Sequence, residues 1–174
     1  YWDLLHKEGN EPNRVAYQAL LQAYTCLLPV DMNSAETILN QITEPTGLHF
    51  AALIFGYGYR LRDFYSANAV MERMLQRLQN LKEVIDPEQA WEALVASYAV
   101  HKEIRLAKQA RDVELMPNLS TLYLDNTLIR GCALFDNDEE EHVGTSRALY
   151  DDMVPALRTP DTYKAMIAVY QKFG

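Results

Sequence analysis

The chain has 174 residues, of which 49% are hydrophobic and 23% charged, and its formal charge is -8. That is enough apolar side chain for a packed core, while no run approaches the roughly 18 apolar residues of a membrane-spanning helix and "YWDLLHKEGN" lacks the layout of a secretory signal. The acidic excess opposes phosphate attraction, but it is uneven: residues 1–59 hold 2 basic and 6 acidic residues, 60–111 hold 9 and 7, and 112–174 hold 5 and 11.

Taken in order, "YWDLLHKEGNEPN" reads as a helix followed by a loop. In "YQALLQAY", from Tyr17, the apolar residues fall at i+3, i+4 and i+7, which is one face of an α-helix and not the alternation of a strand. Ala35, Ile38, Leu39 and Ile42 stripe the next helix, with Asn33 or Ser34 as its cap. The Tyr17 pattern returns as "FAALIFGY" from Phe50, a helix expected to end at Gly56 or Gly58. A long partner follows, striped by Ala67, Val70, Met71, Met74, Leu75 and Leu78. The third copy, "WEALVASY" from Trp91, precedes the thin face of Leu106, Ala110 and Val113. The fourth, "DNTLIRGC" from Asp125, precedes the run "DNDEEEH", expected to be a solvated loop. After it Thr145 or Ser146 would cap a helix carrying Tyr150, Met153, Val154 and Leu157, bent or shortened late by Pro155. "YKAMIAVY" from Tyr163 is the fifth copy.

Self-similarity at a period of 33 to 41 residues predicts an all-α fold, an α-solenoid of stacked helix-turn-helix repeats in which each unit buries its stripes against its neighbours. Pro12, Pro45, Pro87, Pro117 and Pro160 stand before the five first-type helices, where a fixed backbone angle starts a helix at little cost. The boundaries expected are a second helix and loop over 1–13, four repeats at 14–46, 47–87, 88–121 and 122–159, and a further first helix over 160–174. Neither end carries the polar capping face of a terminal repeat. Two columns stand out within the copies. One is small: Ala19, Ala52, Ala93, Thr127 and Ala165. The other changes every time: Gln18, Ala51, Glu92, Asn126 and Lys164.

Catalytic signals are weak. Cys26 and Cys132 lie in apolar helical patterns, and His6, His49, His101 and His142 fall in separate segments, so neither a disulfide framework nor a metal site is expected. "GYGYR" has no preceding strand and too few glycines for a phosphate loop, Asp151 and Asp152 have no matched carboxylate, and no Ser-His-Asp or Cys-His set can be assembled. No cofactor, small-molecule substrate or enzymatic activity is expected. The tyrosines, including Tyr17, Tyr24, Tyr57, Tyr98, Tyr163 and Tyr170, are read into the core rather than into base stacking.

An aromatic, a variable residue, a small residue and a Leu-Ile pair, closed by "EGNEPN" or "TPD", resemble the pentatricopeptide repeat family over essentially the whole chain. The tetratricopeptide repeat is the nearest rival through "DPEQAWEALVASYA", but the other copies lack its Leu-Gly pair. The resemblance implies an organellar, mitochondrial or chloroplast, RNA-associated protein acting in transcript processing, stability or translation, or as part of a ribonucleoprotein such as an organelle ribosome. It implies single-stranded RNA lying on the first-helix face, one base per repeat. Base selection would fall to Gln18, Ala51, Glu92, Asn126 and Lys164, working with loop-end residues such as Thr46 and, for Asn126, Asp161 or Thr159. Only Asn126 matches the family's preferred selectors. Arg60 and Arg62, with Lys102 and Arg105, would line one edge and contact phosphates. The competing expectation is a protein-interaction scaffold that binds no RNA.

Overall fold

The computed structural model of the chain describes residues 12–81, 86–111, 121–133 and 139–173. The described residues form nine α-helices and no strand: α1 (Arg14–Cys26), α2 (Met32–Gln41), α3 (Gly47–Ile54), α4 (Phe64–Leu81), α5 (Glu88–Val100), α6 (Ile104–Arg111), α7 (Thr121–Ala133), α8 (Glu139–Asp152) and α9 (Pro160–Phe173). The five copies of the apolar pattern lie inside α1, α3, α5, α7 and α9. The helix expected near the N-terminus, Val113 and residues 136–138 of the acidic run lie outside the described residues.

The helix ends show why these segments start and stop where they do. Asn13 caps α1 by accepting the Ala16 N–H at 2.9 Å, and Asp31 caps α2 by accepting from the Ser34 N–H at 3.0 Å and its hydroxyl at 2.6 Å. Asp63 caps α4 through Ser66 in the same way, at 3.0 and 2.7 Å. The cap of α2 is therefore Asp31, not Asn33 or Ser34, because the helix begins one turn earlier than its apolar stripe. The same correction applies to α8. It begins at Glu139, so Thr145 and Ser146 are buried inside it, and Ser146 Oγ donates to the His142 carbonyl at 2.8 Å. Half of the acidic run is thus helix, where carboxylates suit the positive N-terminal end.

Two further expectations are corrected. Neither Gly56 nor Gly58 ends α3; the helix continues as a π-helix over Phe55–Arg60 and stops only where Arg62 turns left-handed, with φ 56°. At the other extreme Pro155 does not bend α8, which has already ended at Asp152. Pro155 instead starts a 3₁₀ turn, Pro155–Leu157, leaving Val154 and Leu157 exposed. In α6 the buried face is Ile104 and Ala107 rather than Leu106.

Two compact units divide the chain, Tyr1–Ala90 and Trp91–Gly174. Within the first, α1 packs on α2 and α3, α2 also touches α3, and α3 packs on α4. Its core is Leu21, Ala35, Ile38, Leu39, Phe50, Leu53, Ile54, Val70 and Met74. Glu36 of α2 receives both Arg73 guanidinium nitrogens from α4, at 2.8 and 2.9 Å, and the Tyr57 hydroxyl at 3.3 Å, so one carboxylate ties three helical segments. Burial, and then this carboxylate, push the Tyr57 phenol above its ordinary pKa. Within the second unit α7 packs on α6, α8 and α9, and α8 packs on α9 around Leu124, Leu128, Ile129, Met166 and Val169.

Each unit contains the same close approach. A Cβ placed on Gly56 would lie 2.6 Å from Met32 Sδ and 2.9 Å from Thr25 Cβ; one placed on Gly131 would lie 2.8 Å from Ala99 Cβ and 3.2 Å from Ile104 Cδ1. These are equivalent places: both glycines stand six residues after the first residue of their copy, Thr25 and Ala99 eight after theirs, and Met32 and Ile104 open the following helix. Only a residue without a side chain lets the neighbouring helices and their side chains come so close. Ala23 and Ser97 keep this register small in two other copies.

Candidate nucleic-acid interface

The variable column is built by the first-type helices, and its five members have different surroundings. Gln18 is half-buried in α1, and among the described residues its Oε1 is buried without a hydrogen-bond partner. Asn126, in α7, is 6% exposed, and its Oδ1 is likewise without one. A buried amide atom left unpaired costs on the order of 1–3 kcal/mol, so two of them at one register are not neutral decoration. Ala51 and Glu92 are half-buried. Lys164 is exposed, and its Nζ lies 3.4 Å from Asp161.

The loop-end residues serve the helix starts. The Thr46 N–H donates to His49 Nδ1 at 2.9 Å at the N-terminus of α3, and His49 Nε2 meets the Arg14 carbonyl at 3.3 Å. That pair of partners places the proton on Nε2. Burial lowers the His49 pKa, and nearby Arg14 adds to this through its charge. Thr159 and Thr162 cap α9 reciprocally: the Thr159 N–H donates to Thr162 Oγ1 at 3.1 Å, and the Thr162 N–H to Thr159 Oγ1 at 3.4 Å. Asp161 is exposed and faces Lys164, its neighbour one turn on.

The four basic residues fall in two matching turns, one in each unit. Arg60 ends the π-helix and donates to the Cys26 carbonyl, and Arg62 follows in the left-handed region. In the second unit Lys102 occupies the same conformation, φ 69°, and the Glu103 N–H closes the turn on the Tyr98 carbonyl at 2.9 Å. Arg105 is exposed in the first turn of α6. All four side chains are exposed. Leu27 and Leu28, after α1, are exposed as well, as are Leu61, between Arg60 and Arg62, and Tyr65 in the first turn of α4.

Other chemistry has little material. Among the described residues no group of three or more His, Cys, Asp or Glu side chains is arranged to hold a metal ion, and no described helix is long and apolar enough to cross a membrane. Burial raises the pKa of the Cys132 thiol and keeps it from being a ready nucleophile. Not every tyrosine joins the core: Tyr98 is 4% exposed, but Tyr163 and Tyr170 are 48% and 42% exposed on α9. The same register in α3, α5 and α7 holds Phe50, Trp91 and Asp125, all buried.

Buried Asp125 is the clearest departure from the aromatic pattern. Its Oδ1 accepts from Arg111 Nε at 2.7 Å, an ion pair with the carboxylate side chain only 3% exposed. Sequence offered one clue, an acidic residue where four other copies have an aromatic. No family model matches the chain, and no curated protein matches it.

Proposed function

We propose that these helix hairpins stack as an α-solenoid of the pentatricopeptide kind and bind single-stranded RNA along the first-helix face, within an organellar ribonucleoprotein. The mitochondrion is the favoured compartment, with transcript processing, stability or translation as the process, a mitochondrial ribosome as one setting, and no enzymatic step. The observation that carries this reading is the pair of unpartnered amide oxygens of Gln18 and Asn126, at one register of two first-type helices. An amide can both donate to and accept from a base edge, and, with the side chain turned outward, a base would satisfy the group that the described residues leave unpaired. Stacking is supported by the repeated seat of Gly56 and Gly131 against the hairpin before each.

Ala51 offers no hydrogen bond, and Thr46 and Thr159 are engaged at helix ends, so base choice rests mainly on Asn126 and secondarily on Gln18. Lys102 and Arg105 are the phosphate contacts of the reading. Arg105 stands at the positive end of α6, where the helix dipole disfavours a cation and a bound phosphate would offset that cost.

The test is affinity for random single-stranded RNA against salt. Saturable binding is expected at low ionic strength, with log K falling linearly as log salt rises. Lys102→Ala with Arg105→Ala weakens all sequences alike, whereas Asn126→Ala changes base preference at one nucleotide. Absence of binding to any single-stranded pool at low salt sinks the proposal.

A further inference from the structure

We infer that the outer side of α9, in the second unit, is a seat for an α-helix of a partner protein that carries a small residue followed by apolar residues three, four and seven places on. α9 packs on α7 and α8 and buries Thr162, Ala165, Met166 and Val169. Tyr163, Ile167 and Tyr170, spaced i, i+4 and i+7 along another side of the helix, are 48%, 54% and 42% exposed. The same three places are closed off in earlier copies: Trp91, Val95 and Tyr98 in α5 are buried, and so are Asp125, Ile129 and Cys132 in α7. Among the described residues no helix closes them on α9.

The chain itself displays what closes such a side. α1, α3 and α7 each pack on the helix that follows, α2, α4 and α8. Arg77 of α4 lies over the Phe50 ring of α3, and the Cys132 thiol of α7 hydrogen-bonds Ser146 of α8. The covering helices share one spacing: Ala35, Ile38, Leu39 and Ile42 in and at the end of α2, Ala67, Val70, Met71 and Met74 in α4, and Ser146, Leu149, Tyr150 and Met153 in and after α8. All of these but Tyr150 are buried. Two rings and a branched side chain form a bulky ridge, and the small residue of such a helix opens the groove that receives it. A second copy does not fit, because its helices of this pattern are already packed in their own hairpins and a second α9 brings rings with no small residue to admit them. Charge does not choose the occupant: Lys164 lies by Asp161, and Arg147, which donates to the Tyr170 hydroxyl at 3.3 Å, lies near Asp151, so both signs border the seat. Burial of apolar surface carries the affinity.

This inference rests on the stacked-hairpin part of the proposed function and not on RNA binding. The probe is a fluorescein-labelled peptide of residues 63–81, which spans α4 with its Asp63 cap, titrated by anisotropy into the 174-residue chain. Saturable binding that changes little with salt is expected, unlike RNA binding, which weakens steeply as salt rises. Ile167→Ser with Tyr170→Ser, both at exposed side chains, should weaken it about tenfold, a loss of roughly 1.4 kcal/mol. Leu27→Ser with Leu28→Ser, on the first unit, and Lys102→Ala with Arg105→Ala should leave it unchanged. Circular dichroism melts show whether each variant is folded. No saturable binding, equal binding by the Ile167/Tyr170 variant, or equal binding of a peptide with Ser at Val70, Met71 and Met74 overturns the inference. So does a dimer in sedimentation that the Ile167/Tyr170 variant abolishes, which assigns the face to a second copy, or an RNA affinity that falls tenfold in that variant while the peptide fails to bind.

Discussion

Phe50 in the first unit and Asp125 in the second occupy the same register of their helices, and both are buried, yet one is an aromatic ring and the other a carboxylate. Each has an arginine at hand. Arg77 of α4 lies 5.9 Å from the Phe50 ring centroid, and Arg111 of α6 donates to Asp125 at 2.7 Å. In these two copies the place is filled and satisfied, and an aromatic side chain is not required for it. Filling can come from apolar area or from an ion pair, and the two respond differently to substitution.

The largest effect expected is from truncation at this register. Phe50→Ala should cost about 3–5 kcal/mol through lost burial and a residual cavity. Asp125→Ala should cost a similar ~3–5 kcal/mol for another reason, since it leaves the Arg111 guanidinium, 22% exposed, without its carboxylate. Chemical unfolding separates them: Asp125→Leu combined with Arg111→Met should recover most of the loss, because an apolar pair of similar volume often replaces a buried ion pair at no cost. A double variant no more stable than Asp125→Ala would mean the carboxylate does something other than balance the arginine.

Smaller effects are expected at the glycine seat. Gly56→Ala and Gly131→Ala each force a neighbour to move and should cost about 1–3 kcal/mol. The two should be similar in size: the Met32 thioether can swing away, but Thr25 Cβ at 2.9 Å and Ala99 Cβ at 2.8 Å are each fixed to their backbone. Adding Ala99→Gly to Gly131→Ala should restore part of the stability measured by thermal unfolding. No rescue would separate the two positions and break the equivalence drawn between the units.

The smallest effect is confined to the first unit. The His49 pKa is lowered below its ordinary 6.5 in the folded chain, so the unfolded chain binds the proton more readily. The stability from neutral His49 is fully present above about pH 6.5 and declines as pH falls from there toward the folded pKa. Melting temperature should drop over that window, and His49→Gln should flatten the drop while keeping a capping box with Thr46. An unchanged slope in the variant would assign the acid sensitivity to other groups.

Much of the helical layout was legible in the sequence because burial repeats with helical spacing: Leu21, Leu53, Leu94, Leu128 and Met166 all follow from it, but the fifth copy leaves the expected Ile167 54% exposed and buries Val169 instead. What stayed hidden depended on contacts with other segments. Gly56 and Gly58 look like helix terminators in isolation, and only the packing of Met32 and Thr25 explains a glycine inside a continuing helix. Asp31 and Asp63 were passed over as caps because the apolar stripe begins after the first turn. For the candidate site, sequence could name the column of Gln18 and Asn126. It could not tell that both amides leave an oxygen without a partner among the described residues, nor that Arg60 reaches across to the Cys26 carbonyl beside the exposed Leu27 and Leu28.

The glycine seat has a bearing on how freely this chain can vary in length. Its three contacting positions lie within and at the start of helices, so the tip of a long α4 or the acidic stretch before α8 can grow without moving them. Intervals of 33, 41, 34 and 38 residues between copies are then tolerated variations on a fixed joint. Insertions at such tips should be absorbed locally, while a single residue added between Asp125 and Gly131 would turn the joint away from its mate.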